Sequence, residues 1–124
     1  MIFKRKRKGP QAQTQTQPQP QHATVLLGGV PIDVGIAPLI EALWESECKT
    51  LACCEGHPEK PKNPDLVATL ERQAYILFDH MEDAFDFFYY IPEEGEASMF
   101  RGEGYGAAVY FHPECIANLV ERWR

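Results

Sequence analysis

Glutamine occupies every second position from residue 11 to residue 21, and this tract limits where the chain can build a core. The residues between the glutamines are alanine, threonine and proline, so neither face of the segment can bury much apolar area. Ordering one residue costs about 1 kcal/mol or more, which such a composition does not offset. We therefore predict a disordered tail over residues 1–22 and a single α+β domain over residues 23–124, which is enough chain for one core.

The charge of the chain is divided unevenly between these two parts. The formal charge of −6 comes from 12 basic and 18 acidic residues, and five of the basic ones are Lys4, Arg5, Lys6, Arg7 and Lys8. The rest of the chain has seven basic residues against 18 acidic ones, a net charge of −11. Consecutive cations on a flexible tether suit phosphates, so the tail is predicted to contact nucleic acid. A membrane surface, or no specific target, are the alternatives.

The setting of the protein is also predicted from its composition. No apolar run approaches the roughly 18 residues of a membrane-spanning helix, and the three residues before the cations are too few for the apolar core of a signal peptide. The chain has four cysteines, too few for a disulfide framework, and the adjacent Cys53 and Cys54 are poorly placed to form an unstrained bridge. We expect a cytoplasmic protein with reduced cysteines.

Apolar periodicity and turn residues divide the domain into elements. Strands are predicted over residues 24–27, 49–54 and 74–78, with a hairpin over 98–111. Residues 66–70 fit a strand or a helical turn, and the strand is favoured. Helices are predicted to begin near Asp33, at Met81 and at Pro113. The middle helix has Asp79 as an N-cap with Glu82 three residues later, and it buries Phe85 and Phe88. Three further aromatic side chains are predicted to form an exposed patch: Phe87, Tyr89 and Tyr90.

This order of elements indicates the fold class. Two strand-helix units followed by a hairpin and a last helix are typical of a two-layer α+β sandwich, with helices on one face of a mainly antiparallel sheet. The expected arrangement is ferredoxin-like, with the last helix added.

Two pairs of residues have the spacing of zinc ligands. Cys54 and His57 form a C-x-x-H pair, and His112 and Cys115 form an H-x-x-C pair. Two thiolates and two imidazoles match a tetrahedral Zn²⁺ site in number and type, so zinc is a candidate cofactor if the fold brings the pairs together. The alternative is that the cysteines are buried structural residues and the histidines lie on the surface.

A reactive thiol is the remaining interpretation of the same turn. Cys54 would be the nucleophile, with His57 or His112 as the base that takes its proton. Glu55 would orient the imidazole or act as an acid. Backbone amides of the Glu55-Gly56 turn would bind an oxyanion. A spacing of three residues does not by itself establish such a pair, because catalytic partners are normally brought together by the fold.

Part of the domain resembles a known group of sequences. The segments Ile36–Trp44, Thr50, Cys53–Pro58 and Tyr75–Phe78 are similar to small uncharacterised bacterial and mobile-element proteins. These proteins have a Leu-Trp helix followed by a turn like Cys-Glu-Gly-His-Pro and an aromatic strand. The resemblance implies a bacterial setting and draws attention to Cys54, Gly56 and His57. The group has no established activity, so no reaction follows from it.

These observations favour a small non-enzymatic binding or accessory protein. The folded acidic domain is expected to engage a protein partner, and the basic tail is expected to contact nucleic acid. The alternative is a zinc-binding protein or a cysteine-dependent enzyme centred on Cys54, His57, His112 and Cys115.

Overall fold

The computed structural model describes residues 22–59 and 66–124. The strands are β1 (Thr24–Leu27), β2 (Val30–Asp33), β3 (Thr50–Cys54), β4 (Ala74–Phe78), β5 (Ser98–Arg101) and β6 (Ala107–Phe111). The helices are α1 (Ala37–Glu45), α2 (Leu66–Arg72), α3 (Met81–Tyr89) and α4 (Ile116–Trp123), with short 3₁₀ turns at Glu93–Gly95 and Pro113–Cys115. No helix in these two ranges has the length and apolarity needed to cross a membrane. The predicted tail up to residue 21, with its basic cluster, lies outside the described residues, as does most of the proline-rich loop at 60–65.

A four-stranded sheet forms the centre of the domain. Its order is β3-β4-β6-β5, and every neighbouring pair is antiparallel. The α+β class and the mainly antiparallel sheet are therefore confirmed, as is the predicted hairpin, in which Ser98 pairs with Tyr110. The ferredoxin-like arrangement is not confirmed by this strand order.

A second, two-stranded sheet was not foreseen. β1 and β2 form an antiparallel hairpin in which Leu27 pairs with Val30 across the turn Gly28-Gly29. Both glycines have positive φ, +58° and +84°, as a tight two-residue hairpin turn requires. Residues 30–33 were expected to lead into a helix, whereas they form a strand.

The helices follow the predicted periodicity at both ends of the domain. α1 contains Pro38 in its first turn, where the missing amide hydrogen costs no helical bond. Pro113 begins the 3₁₀ turn that leads into α4, and Leu119 and Val120 of α4 are buried. The predicted strand at 66–70 is wrong, because these residues belong to α2. Ala68, Leu70 and Glu71 are all strong helix formers, which accounts for the difference.

The core lies between the sheet and the helices α1, α3 and α4. Ala74, Ile76 and Phe78 alternate into it from β4 and are fully buried. Phe87 of α3 is also fully buried, with its ring centroid 5.3 Å from that of Phe78. The predicted exposure of Phe87 is therefore wrong, and so is the predicted burial of Phe85, which is 55% exposed.

The start of α3 also differs from the expectation. His80, with extended φ and ψ, is the N-cap residue, and its side chain makes no capping hydrogen bond. Asp79 lies one position earlier, where its carboxylate is 3.5 Å from Lys49 Nζ and its amide donates to the Lys49 carbonyl. Asp79 therefore ties the start of α3 to β3 instead of capping the helix. Tyr89 is 80% exposed and Tyr90 39% exposed, as predicted.

Candidate metal centre

Three segments meet beside the carboxyl end of β3 and bring together two imidazoles and a thiol. His22 lies two residues before β1, Cys54 is the last residue of β3, and His57 follows it in the next turn. One donor atom from each of the three lies within 4.8 Å of the others, and all three residues are half-buried. His22 also forms a second such group with Asp33 and Glu55.

The two imidazoles already have the separation of two ligands of one ion. His22 Nε2 lies 3.2 Å from His57 Nδ1, with the ring centroids 4.3 Å apart. Tetrahedral Zn²⁺ with Zn–N bonds of about 2.0–2.1 Å holds two nitrogen ligands about 3.3 Å apart. The same distance also fits a hydrogen bond when one ring nitrogen carries a proton, so chemistry must decide between the two.

Asp33 orients the first of these rings. Its Oδ2 lies 2.9 Å from His22 Nδ1 and also accepts a hydrogen bond from the Glu55 amide at 3.0 Å. A proton on His22 Nδ1, donated to Asp33, leaves the lone pair of Nε2 directed toward His57. A carboxylate behind a ligating histidine is the usual arrangement around protein-bound zinc.

Gly56 sets the direction of the turn that carries His57. Its φ is +89°, and a Cβ atom at this position would lie 2.8 Å from the Ala74 amide nitrogen and 2.9 Å from the Arg72 carbonyl oxygen. The turn therefore lies directly against the backbone between α2 and β4. The His57 amide donates to the same Arg72 carbonyl at 2.9 Å, which holds the residue in place.

Two further carboxylates surround the cluster. Glu55 Oε1 accepts a hydrogen bond from the Gly35 amide at 2.6 Å, so this side chain ties the end of β3 to the loop before α1. Its Oε2 lies 3.7 Å from His22 Nδ1, so it faces His22 and not His57 or His112, whose imidazole it was predicted to orient. Glu59 is 71% exposed, and its Oε2 lies 3.2 Å from His57 Nδ1.

Only part of the ligand set predicted from the sequence meets here. The structure brings Cys54 and His57 together, but His112 and Cys115 belong to neither donor group among the described residues. His112 Nδ1 accepts a hydrogen bond from the Glu114 amide and caps the turn before α4. Cys115 is buried, with its sulfur packed against Gly95. His22 was placed in the tail by the sequence analysis, and no spacing motif connects it to Cys54.

The surroundings of Cys54 disfavour a free thiolate. The pKa of the Cys54 thiol is raised to about 11, mainly because the side chain is buried; the carboxylates of Asp33 and Glu55 also raise it, while a hydrogen bond from the Gly56 amide lowers it. Burial likewise raises the pKa of Cys53 to about 12. A nucleophilic cysteine needs a lowered pKa, so the geometry gives no support to the cysteine-dependent enzyme. A bound cation would lower the pKa of Cys54, because it stabilises the thiolate.

Comparison with known proteins adds no assignment to this site. No family model, curated protein or solved structure matches the chain. The resemblance to bacterial and mobile-element proteins therefore stays a prediction. A functional conclusion has to come from the geometry of His22, Cys54 and His57 and from the surfaces around them.

Proposed function

We propose that this protein binds one zinc ion through His22 Nε2, Cys54 Sγ and His57 Nδ1, and that the ion has a structural role. The observation that carries the proposal is the 3.2 Å separation of the two imidazole nitrogens beside a thiol. Water, or Glu59, whose Oε2 lies 3.2 Å from His57 Nδ1 but which belongs to neither donor group, would supply the fourth ligand.

The donor types select zinc over the common hard cations. Imidazole and thiolate suit Zn²⁺, whereas Mg²⁺ and Ca²⁺ prefer oxygen ligands. The carboxylates of Asp33 and Glu55 are already engaged, because Asp33 accepts a hydrogen bond from the Glu55 amide and Glu55 accepts one from the Gly35 amide. These two carboxylates hold the surrounding backbone and the His22 ring, and leave nitrogen and sulfur to face the ion.

An ion at this position would link the β1–β2 hairpin to the main sheet. His22 precedes the hairpin, whereas Cys54 and His57 belong to β3 and the turn after it. The hairpin exposes Val25 and Leu26, the latter at 73%, so apolar burial contributes little to holding this part of the hairpin on the domain. Three bonds to one ion would add to the hydrogen bond of Asp33 and to the packing of Leu27, Val30 and Ile32 against the core.

A zinc titration of the full chain with a competing chromophoric chelator tests the proposal. We expect one equivalent to bind, and His22→Ala and His57→Ala each to weaken binding by about 100-fold or more, since each removes a ligand. The chain has four histidines, so His80→Ala and His112→Ala are matched controls that should leave the affinity unchanged. Circular dichroism verifies that every variant is folded.

Two results would contradict this site. If the full chain binds no zinc, the contact between His22 and His57 is a hydrogen bond. If His112→Ala weakens binding while His22→Ala does not, the ligands are those predicted from the sequence, with His112 and Cys115.

A second proposed function concerns binding of macromolecules in the cytoplasm. We propose that the acidic domain engages a basic segment of a protein and that Lys4–Lys8 contact nucleic acid. Exposed aromatic residues on α3 support the first part, since Phe85 is 55% and Tyr89 80% exposed beside acidic residues. The charge division between tail and domain supports the second.

Replacing Lys4, Arg5, Lys6, Arg7 and Lys8 with glutamine gives the variant Lys4–Lys8→Gln. This variant should bind single-stranded nucleic acid about tenfold or more weakly at low salt. Fluorescence anisotropy at several salt concentrations measures this, and the salt dependence should become shallower. Lys49→Gln, which removes an exposed cation of the domain, is the control and should have little effect. Unchanged affinity of the five-fold variant would refute the role of the tail.

A further inference from the structure

The outward side of α3 carries an unusual combination of side chains. Glu82, Phe85, Asp86 and Tyr89 follow one another at spacings of three, one and three residues, which places them on one face of the helix. We call these four residues the α3 outer face. Phe85 is 55% exposed and Tyr89 80% exposed, while Phe87 on the opposite side is fully buried. Two large aromatic side chains therefore lie in solvent with acidic neighbours.

The acidic residues of this face are available to a cation. Among the described residues, neither Glu82 nor Asp86 forms an ion pair. Exposed carboxylates beside aromatic rings attract Lys and Arg both by charge and by cation–π contact.

The neighbouring Tyr90 already binds a guanidinium in this way. Arg122 of α4 lies over the Tyr90 ring, 4.5 Å from its centroid. The Tyr89 ring contacts Tyr90 edge to face at 5.2 Å and remains exposed on its other side. Tyr90 therefore binds one arginine of the domain, whereas the neighbouring ring of Tyr89 has no such partner among the described residues.

We propose that residues 2–8 of the same chain dock on the α3 outer face. This segment combines two apolar residues, Ile2 and Phe3, with the five cations Lys4–Lys8, and so complements both the aromatic rings and the carboxylates. Thirteen residues lie between Lys8 and His22, the first described residue, so the chain takes fourteen steps from one to the other. At about 3.3 Å per residue they span up to about 46 Å. A domain of this size has a radius of gyration of about 13 Å, so the segment can reach any of its faces.

The inference rests on the second proposed function, the binding of a basic segment by the acidic domain, and it names that segment. The same five cations would then serve two contacts, the α3 outer face and nucleic acid, which exclude each other. Nucleic acid would displace the segment and uncover Phe85 and Tyr89 for another partner. Exposed ion pairs contribute little individually and are screened by salt, so the docking should be strongest at low ionic strength.

Nuclear magnetic resonance of the ¹⁵N-labelled full chain tests the docking directly. We expect the amide shifts of the unaltered chain and of the Lys4–Lys8→Gln variant to differ at residues 82–90 in low salt. The difference should disappear at about 0.5 M salt, where the Debye length falls to a few ångströms. It should also be lost when the two chains carry Glu82→Gln and Asp86→Gln, and be retained with the control Glu103→Gln, an exposed acid in the β5–β6 turn.

Shift differences that are absent, or that lie on another surface, overturn the docking. A peptide of residues 2–8, added to the Lys4–Lys8→Gln chain, then separates the two proposals. If the peptide shifts residues 82–90, the face binds a basic segment and only the docking within the chain is wrong. If the peptide shifts no resonance there, the proposal that this face binds basic segments is wrong as well.

Discussion

Phe87→Ala is expected to lower the free energy of unfolding by about 3–5 kcal/mol, whereas Phe85→Ala should change it by no more than about 0.5 kcal/mol. Both residues lie on α3, two positions apart, and the substitution is the same. Phe87 is fully buried and its ring centroid lies 5.3 Å from Phe78 and 5.4 Å from Phe111. Its removal leaves a cavity in the core, while Phe85 is 55% exposed and leaves none.

Urea unfolding followed by circular dichroism measures both values. Because α3 would present a different face to the sheet if Phe85 were the core residue, the pair of variants reports the rotation of the helix. Equal losses, or a larger loss for Phe85→Ala, would contradict the packing described here.

Gly56→Ala is expected to lower the free energy of unfolding by about 2–5 kcal/mol. A left-handed conformation costs a residue with a Cβ atom about 1–2 kcal/mol, and overpacking adds about 1–3 kcal/mol. The Cβ of an alanine here would lie within 2.9 Å of backbone atoms of Arg72 and Ala74, which cannot move without shifting α2 or β4. The displaced turn carries His57, so zinc affinity should fall as well.

Gly104→Ala separates the conformational cost of the left-handed backbone from the cost of overpacking. Gly104 has a similar φ of +83°, but a Cβ there meets no atom within 4 Å. We expect this variant to lose only the conformational part, about 1–2 kcal/mol, and to keep its zinc affinity. Thermal unfolding measures the stability, and the zinc titration measures the affinity. Equal losses of stability in both glycine variants would show that the close approach of Gly56 to the α2–β4 backbone has no energetic effect.

Local patterns along the chain were sufficient to predict much of the fold. A run of small and apolar residues identified β3, a run of β-forming residues identified β4, the glycines of residues 102–106 identified the last hairpin, and apolar residues three and four positions apart identified α4. The rotation of α3 was predicted wrongly, because Ala84 belongs equally to a stripe with Phe85 and Phe88 and to one with Phe87. Contact with Phe78 and Phe111 of the sheet decides between them, and these residues are distant in sequence.

The candidate site divides in the same way. Cys54 and His57 were identified because they lie three positions apart across a glycine turn, a spacing that a local motif can show. His22 and Asp33 were not, since their proximity depends on the register of the β1–β2 hairpin. Thr24 pairs with Asp33 in that register, which brings His22 beside the Asp33 carboxylate.

By itself, the sequence determined the separation of a basic segment from an acidic domain, the α+β class and the Cys54–His57 turn. These properties come from composition and from neighbours along the chain, where each residue type has a local preference. Only the tertiary structure decided that His22 completes the cluster, that His112 and Cys115 lie apart from it, and that Phe85 and Tyr89 face solvent. Those relations depend on strand register and helix rotation, which are set by packing between distant segments and leave no periodic trace in the chain.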